Sequence, residues 1–286
     1  MAIKRKGLSD KLAAFLKDQS FVCDAGPVGS AQLVMLRGCK INADGSISAH
    51  GDPLVYDDRY GDVMFAFGNK SGGQQYLEAY RASAKPGLAW IKHPSYSGSS
   101  QGCPTVQPGQ YRYCRGDHRG HEAMRQCANS PVVVIRDLDD DARLEQTDLV
   151  DYPEWTGINI HAGGTSDRVG LNSSGCQVIW GGWNGDQWQS FHYIVYRIAA
   201  KQKVFHYTLA DFSMFAAWHD KTPKLTSKHV FFGSSGEAVT TVQKRLASVG
   251  YFGAALIDGK FGRGTDRAVR AHQKASSKPV TGIVAV

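Results

Sequence analysis

The chain has 286 residues, of which 42% are hydrophobic and 21% are charged, and it carries a formal net charge of +7 at pH 7. This composition is typical of a soluble globular protein, and the length suits two domains of about 100–200 residues each. No run of the sequence approaches the roughly 18 apolar residues that a membrane span requires, so we expect no stable membrane insertion.

The N-terminus is basic but continues into Ser9 and Asp10 rather than into an apolar stretch, so we expect no conventional secretory signal. Six cysteines are too few for a disulfide scaffold and indicate one functional thiol plus inert thiols in a reducing cytoplasm. Side chains able to bind metal occur in mid-chain: Cys103, Cys114, His118, His121 and Cys127. Their spacing matches no zinc framework, which favours loop thiols and solvated histidines over a structural zinc.

Apolar periodicity predicts the first elements in chain order. A helical repeat predicts an amphipathic helix over residues 8–18 that packs on the domain, and a second, short helix is predicted over residues 75–82. A longer stripe predicts a helix over residues 187–200. Extended segments predict strands over several ranges: 32–37, 64–67, 111–114, 132–136 and 204–209. Short strands, frequent turns and few long helices predict an α+β chain whose first domain, residues 1–218, is mainly β with helical additions.

A histidine and a cysteine form the most informative pattern of the chain. Ile158 and Ile160 alternate along an extended run that ends at His161, and after fourteen intervening residues Cys176 follows a Ser-Ser-Gly turn. A thiol in such a turn is exposed to an incoming carbonyl and can be activated by a nearby imidazole. The backbone N–H groups of Gly175 and Cys176 are then candidates for binding an oxyanion. From the residues alone, a buried structural cysteine and an ordinary strand-end histidine remain an open alternative.

The His-x14-Cys spacing with Ser-x-Gly-Cys resembles the catalytic motif of L,D-transpeptidases, especially a phage-encoded branch that ends in Gly-Cys-Gln. The segments 108–111, 116–118 and 124–126 also resemble that branch, so the similarity covers roughly residues 31–215. The resemblance implies Cys176 as nucleophile, His161 as base, and Ser173 and Gly175 in the supporting turn. It also places His118 in the cleft.

Two positions next to the thiol depart from the family pattern. Ser174 stands where many members have histidine, and Gln177-Val178 replaces an apolar-Arg or apolar-Asn pair. The resemblance implies that these positions orient the peptide substrate, so we assign Ser174 and Gln177, with His118, to substrate binding. The departures bear on the choice of substrate and on the balance between hydrolysis and transfer.

The C-terminal part of the chain changes in composition and periodicity. Residues 219–235 have the composition of a linker, and residues 236–286 predict a small all-α module of three helices. Residues 233–286 contain eight Lys and Arg against three Asp and Glu, which favours an anionic partner. Nucleic acid, an anionic membrane surface and carboxylate-rich peptidoglycan all fit this charge. Nucleic acid is the weaker candidate, because the basic residues lack an aromatic stacking platform.

The C-terminal module resembles the three-helix peptidoglycan-binding domain, chiefly through Asp258-Gly259-Lys260-Phe261-Gly262 and a glutamine on each helix. The resemblance implies that Tyr251, Asp258 and Phe261 contact glycan or stem peptide. His272 occupies a usually aromatic position, and the chain stops with the third helix barely begun.

Together these features lead us to expect a lytic peptidoglycan peptidase of the endolysin type that acts on stem peptides through a Cys176 thioester. We expect a monomer whose partner is bacterial peptidoglycan, with no metal, organic cofactor or nucleic acid. Such an enzyme accumulates in the host cytoplasm and reaches the periplasm and cell wall once the membrane is opened. The alternatives are a transpeptidase that forms or exchanges cross-links and a non-catalytic wall-binding protein.

Overall fold

A computed structural model describes residues 2–93, 102–137, 141–144, 149–155, 157–220 and 228–286 of the chain. Its strands, in chain order, are β1 Ala2–Ile3, β2 Gln32–Arg37, β3 Cys39–Ile41, β4 Ile47–Ala49, β5 Asp62–Asn69, β6 Gln75–Ser83, β7 Pro104–Val106, β8 Gly109–His118, β9 His121–Gln126, β10 Val134–Arg136, β11 Leu149–Asp151, β12 Ile160–Ala162, β13 Gln177–Ile179, β14 Phe205–Asp211, β15 His229–Val230 and β16 Val284–Ala285. Its α-helices are α1 Leu8–Asp18, α2 Leu88–Lys92, α3 Asp186–Tyr193, α4 Phe212–His219, α5 Glu237–Ser248 and α6 Arg263–Ala275.

Within the described residues, eight strands close into a barrel in the order β12-β13-β6-β5-β2-β14-β8-β9. The pairs β12–β13 and β2–β14 are parallel, and the other neighbouring strands are antiparallel. The α+β class is thus confirmed. No helix in the described part of the chain is long and apolar enough to cross a bilayer.

The two faces of the barrel sheet explain why strand β2 is buried on both sides. Leu33 and Met35 point into the barrel interior, while Val34 and Leu36 belong to an outer core that α1 and α4 cover. The apolar stripe of α1 fills this outer core, so the predicted helix over residues 8–18 is confirmed, and so is its packing role.

The predicted helix over residues 75–82 is wrong, because this segment forms strand β6. Tyr76 and Tyr80 are four residues apart, a spacing that fits a helix face as well as alternate positions of a strand. Pairing with β5 along its length, from Asn69 opposite Gln75 to Asp62 opposite Ala82, decides for the strand. The predicted helix over residues 187–200 continues past α3 as a π-helical turn, Ile194–Ile198.

The expectation of only unpaired thiols is also wrong. Cys114 on β8 and Cys127 just after β9 form a disulfide, while Cys23, Cys39, Cys103 and Cys176 are free. The hairpin register, which places Cys114 opposite Arg125, brings the two cysteines close together across the strands. Sequence spacing contained no signal for this pairing, because it arises from the strand register.

The C-terminal module packs directly on the barrel. Residues 221–227 of the predicted linker lie outside the described residues, but residues 228–235 form β15 and a buried turn rather than a free spacer. The chain end forms β16, which pairs with β15, where a third helix was expected. Gln243 on α5 is fully buried and holds the 258–260 turn through bonds to Asp258, Gly259 and Lys260.

We predict that Tyr152→Phe lowers the free energy of unfolding by about 1–3 kcal/mol, the usual range for a lost hydrogen bond to a buried charged group. The Tyr152 hydroxyl donates to Asp266 Oδ2 at 2.6 Å, and Arg270 Nε donates to the same oxygen at 2.7 Å. Asp266 is 1% exposed. Urea denaturation followed by circular dichroism measures the change. Glu154→Gln, at the exposed Arg263 pair, is the matched control, and an equal effect in both variants would contradict the prediction.

Candidate active site

Strands β12 and β13 place a histidine next to a cysteine. Their parallel register sets Ile160 opposite Gln177 and His161 opposite Val178. Cys176 immediately precedes β13 and therefore lies beside Asn159, whose backbone N–H donates to Cys176 Sγ at 3.4 Å. Ring nitrogens of His161 and His118 and the sulfur of Cys176 all lie within 4.8 Å of one another.

The turn before the thiol is held by the serine hydroxyl. Ser173 Oγ accepts a hydrogen bond from the Gly175 N–H at 3.1 Å and donates to the Cys176 carbonyl at 2.7 Å. The Gly175 N–H is thus already used, which corrects the expectation that it binds an oxyanion. The Cys176 N–H remains the donor that we assign from this turn.

Gly175 is required by its backbone. Its φ is +135°, and an added Cβ would lie 2.6 Å from the Pro104 carbonyl oxygen. A side chain at this position meets both a disfavoured conformation and a backbone clash. Only glycine fits the turn as built.

The hydrogen bond at one ring nitrogen sets the tautomer of His161. Because a carbonyl oxygen can only accept, Nδ1 of His161 donates to the Ala162 oxygen at 2.7 Å. In the neutral ring this leaves Nε2 with a free lone pair. That nitrogen can therefore receive a proton.

Burial keeps both members of the pair uncharged. His161 is 4% exposed and Cys176 is 7% exposed. Burial, and next the neighbouring His118, lowers the pKa of His161 to about 3. Burial raises the pKa of the Cys176 thiol above its ordinary value. At neutral pH the resting pair is a thiol and a neutral imidazole, so the thiol must lose its proton as it attacks.

Aromatic stacking fixes the orientation of the base. The rings of His118 and His161 are stacked with centroids 4.2 Å apart and planes 10° apart, and the Trp183 ring is nearly parallel to His161 with centroids 5.8 Å apart. Asn159 Nδ2 donates to His118 Nδ1 at 2.8 Å and holds the outer ring in place. A metal ion must lie near the plane of each imidazole that binds it. Because the two rings are nearly parallel and stacked, no single position of a metal ion lies near both ring planes. This geometry therefore does not suit joint metal binding by His118 and His161.

The thiol and the imidazole open into a cavity of about 280 Å³. It is lined by aromatic, polar and cationic side chains and short stretches of backbone: Trp90, His118, Arg119, His121, His161, Ala162, Gly163, Leu171, Asn172, Ser174, Cys176 and Trp183. A larger, mainly apolar cavity of about 570 Å³ lies between α1 and the barrel, near Cys23, but its described lining residues include no comparable acid–base pair. We therefore take the cavity at Cys176 as the candidate active site.

The residues of the first domain that were assigned to substrate binding differ in whether they line the cavity. His118 and Ser174 line the cavity, as a substrate contact requires. The assignment of Gln177 is wrong, because its side chain is fully buried in the barrel and accepts a hydrogen bond from the Tyr207 hydroxyl at 2.9 Å. The residue after the thiol begins β13, and alternation turns its side chain inward.

In the C-terminal module the assignment of Phe261 is also wrong. Phe261 is 1% exposed and belongs to the main hydrophobic core, so it cannot contact a glycan. One oxygen of Asp258 accepts hydrogen bonds from Gln243 and from the Lys260 N–H and so shapes the turn. Tyr251 is 38% exposed and packs edge-on against His272, which leaves it available at the surface.

Two residues of the site were missed from the sequence, Asn159 and Arg119, whereas Trp183 was already a candidate for shaping a groove near the thiol and does line the cavity. Asn159 had a usable signal, since it lies two residues before His161 on the same alternating run and hence on the same face. Arg119 comes from a hairpin tip, and only the fold brings it to the thiol.

Comparison with known proteins bears on the C-terminal part. The model of the family described as "Putative peptidoglycan binding domain" matches residues 235–284. No curated protein and no solved structure matches the chain. The C-terminal module is therefore a peptidoglycan-binding domain, as predicted, and peptidoglycan is a partner of the chain.

We predict that Gly175→Ala destabilises the fold by about 1–3 kcal/mol through backbone strain and the clash with Pro104. It also displaces the thiol, so the rate of Cys176 alkylation by iodoacetamide changes in the folded protein. Gly26→Ala is the control, because Gly26 has open space around its Cβ position and no positive φ. Wild-type stability and alkylation in the Gly175→Ala variant would show that the turn tolerates a side chain.

Proposed function

We propose that this protein is a cysteine peptidase that cleaves peptidoglycan stem peptides or their cross-links through a thioester on Cys176. One observation carries the proposal: a thiol and a proton-accepting imidazole share an open cavity in a chain that also contains a peptidoglycan-binding domain. The L,D-transpeptidase resemblance of the motif supports the same assignment. In this view the C-terminal domain holds the enzyme on the polymer that the barrel attacks.

In the first half of the reaction, Cys176 Sγ attacks a peptide carbonyl carbon while the thiol proton passes to His161 Nε2. The resulting oxyanion receives a hydrogen bond from the Cys176 N–H. The bond between His161 Nδ1 and the Ala162 oxygen holds the ring and stabilises the imidazolium. Collapse breaks the C–N bond, and His161 returns the proton to the leaving amine, which gives a thioester.

In the second half, water attacks the thioester carbonyl and gives its proton to His161. The C–S bond breaks, the new carboxylic acid leaves, and the proton returns to the sulfur. An amine of a neighbouring stem in place of water gives the transpeptidase. That second candidate is favoured by the same Ser-x-Gly-Cys motif, and the two differ only in the acceptor.

We further propose the endolysin role, with synthesis in a host cytoplasm and action at the wall once the membrane is opened. The Cys114–Cys127 disulfide supports an oxidising site of action such as the periplasm, because disulfides persist in such compartments. Expression in a bacterial host with and without a separate membrane-opening protein tests this role. Lysis is expected only when both are present.

We predict that Cys176→Ala abolishes the release of soluble peptide or glycan-strand fragments from purified sacculi, and that His161→Gln lowers the rate about 10²- to 10⁴-fold, as expected for loss of a general base. Mass spectrometry of the products identifies the cleaved bond. Cys23→Ala, which changes a free thiol that lines a different cavity, keeps wild-type activity. New cross-links instead of cleavage products would establish the transpeptidase, and unchanged turnover in Cys176→Ala would leave a wall-binding protein.

We predict that kcat/KM stays nearly constant from pH 8 down to about pH 4.5. An ordinary imidazole base, with a pKa of 6.5, would lose activity tenfold per unit below that value. Because burial lowers the pKa of His161 to about 3, the base remains unprotonated and active well below pH 6. A pH profile on a soluble stem peptide checks this, with circular dichroism at each pH to exclude unfolding. An acid limb centred near 6.5 would contradict the buried-pair geometry.

A further inference from the structure

The β8–β9 hairpin presents an arginine at its tip. Strand β8 ends at His118 and β9 begins at His121, which leaves Arg119 and Gly120 as a two-residue turn. Both have positive φ, +54° and +84°, as in type I′ hairpin turns. The Gly120 N–H donates to Asp117 Oδ1 at 3.0 Å and closes the turn. The disulfide between Cys114 and Cys127 ties the two strands of this hairpin together.

Arg119 lines the same cavity as the Cys176 thiol. None of the described residues that line this cavity carries a carboxylate. Burial first, and in addition the charge of Arg119, lowers the pKa of both His118 and His161. A guanidinium at pH 7 is always protonated. Arg119 is thus the permanent charge among the described lining residues.

This charge is not neutralised within the part of the chain that the structure describes. Arg119 is exposed and forms no ion pair or side-chain hydrogen bond there. Several other arginines are engaged: Arg81 pairs with Asp167, Arg263 with Glu154, and Arg115 donates to backbone carbonyls. An unpaired guanidinium beside a nucleophile in a partly enclosed cavity attracts anions and can bind a carboxylate through two parallel hydrogen bonds.

We propose that Arg119 is a specificity-determining residue that binds a free carboxylate of the stem peptide next to the scissile bond. The inference rests on the proposed function, since it places that peptide at Cys176. A stem peptide offers this chemistry from two sources, the side-chain carboxylate of a diamino acid residue and the C-terminal carboxylate of the peptide. Both are anions, and among the described lining residues Arg119 is the permanently positive group that can pair with either of them.

The test uses three synthetic stem peptides with the full-length protein: one with both carboxylates free, one with the diamino acid carboxylate amidated and one with the C-terminus amidated. Arg119→Gln and Arg119→Asn remove the charge, and asparagine also tolerates the left-handed backbone of the turn. Arg119→Lys keeps the positive charge but cannot donate two parallel hydrogen bonds to one carboxylate. The control is Arg112→Gln, since Arg112 is an exposed residue of the same hairpin that does not line the cavity.

On the peptide with both carboxylates free, we expect charge removal to lower kcat/KM about 10- to 100-fold, the size of a lost charge-assisted hydrogen bond. Arg119→Lys is expected to fall between these variants and wild type. Amidation of the carboxylate that Arg119 binds makes wild type and Arg119→Gln equally slow, which identifies the source. Equal fold-losses on all three peptides would show that Arg119 acts only through the pKa of His161. No loss on any peptide would also overturn the proposal.

A binding measurement separates this inference from the proposed function. Calorimetry compares Cys176→Ala with Cys176→Ala/Arg119→Gln on the same peptides, with no turnover required. Tighter binding of the free-carboxylate peptide that depends on Arg119 supports the inference even if wild type shows no catalysis. Equal affinity of both proteins for all three peptides rejects it, even if Cys176 proves catalytic.

Discussion

The parallel pairing of two three-residue strands, β12 and β13, is the constraint on which the candidate site depends. Adjacent parallel strands need a connection of about a dozen or more residues, and fourteen residues separate His161 from Cys176. The spacing that marks the motif is therefore the length of this crossover. The crossover is anchored by Asp58, which accepts from the Gly170 N–H, and by the Gly87 N–H, which donates to the Ser173 carbonyl.

Burial, more than a charge relay, defines the chemistry available at this pair. The barrel wall removes water from both groups, so the thiol and the imidazole rest uncharged. Backbone atoms then provide the polar contacts, through the Asn159 N–H at the sulfur and the Ala162 oxygen at the imidazole. The β8–β9 hairpin supplies the other wall of the cavity, and with it the stacked His118 and the cation of Arg119.

The peptidoglycan-binding domain is continuous with the barrel core. Its residues Val239 and Phe261 belong to the same apolar cluster as the barrel interior, and the buried Asp266 reaches across to Tyr152. The chain end returns to pair with the segment that enters the module. Under the proposed function, a wall-binding surface fixed on the barrel would restrict which stem peptides reach Cys176, whereas a free tether would not.

Much of the local structure could be predicted from the sequence, because local spacing encodes it. The stripe of α1, the continuous apolar strand β2 and the helices α5 and α6 were predicted correctly, since each has a clear periodicity. The motif, through its resemblance to the L,D-transpeptidase pattern, also pointed to Cys176, His161 and the Ser173–Gly175 turn, and the structure brings these residues together. The family match confirms the prediction for the C-terminal domain.

Only the tertiary structure decided the remaining features, because each depends on which strands become neighbours. Strand β6 has a helical spacing of tyrosines that pairing with β5 overrides. Cys114 meets Cys127 through hairpin register, and Gln177 and Phe261 turn into the core rather than toward a ligand. The lowered pKa of His161 likewise comes from burial and from a ring 43 residues earlier in the chain, His118. Sequence fixes the residue types and their spacing along the chain, whereas contact, burial and charge environment arise only when distant segments pack together.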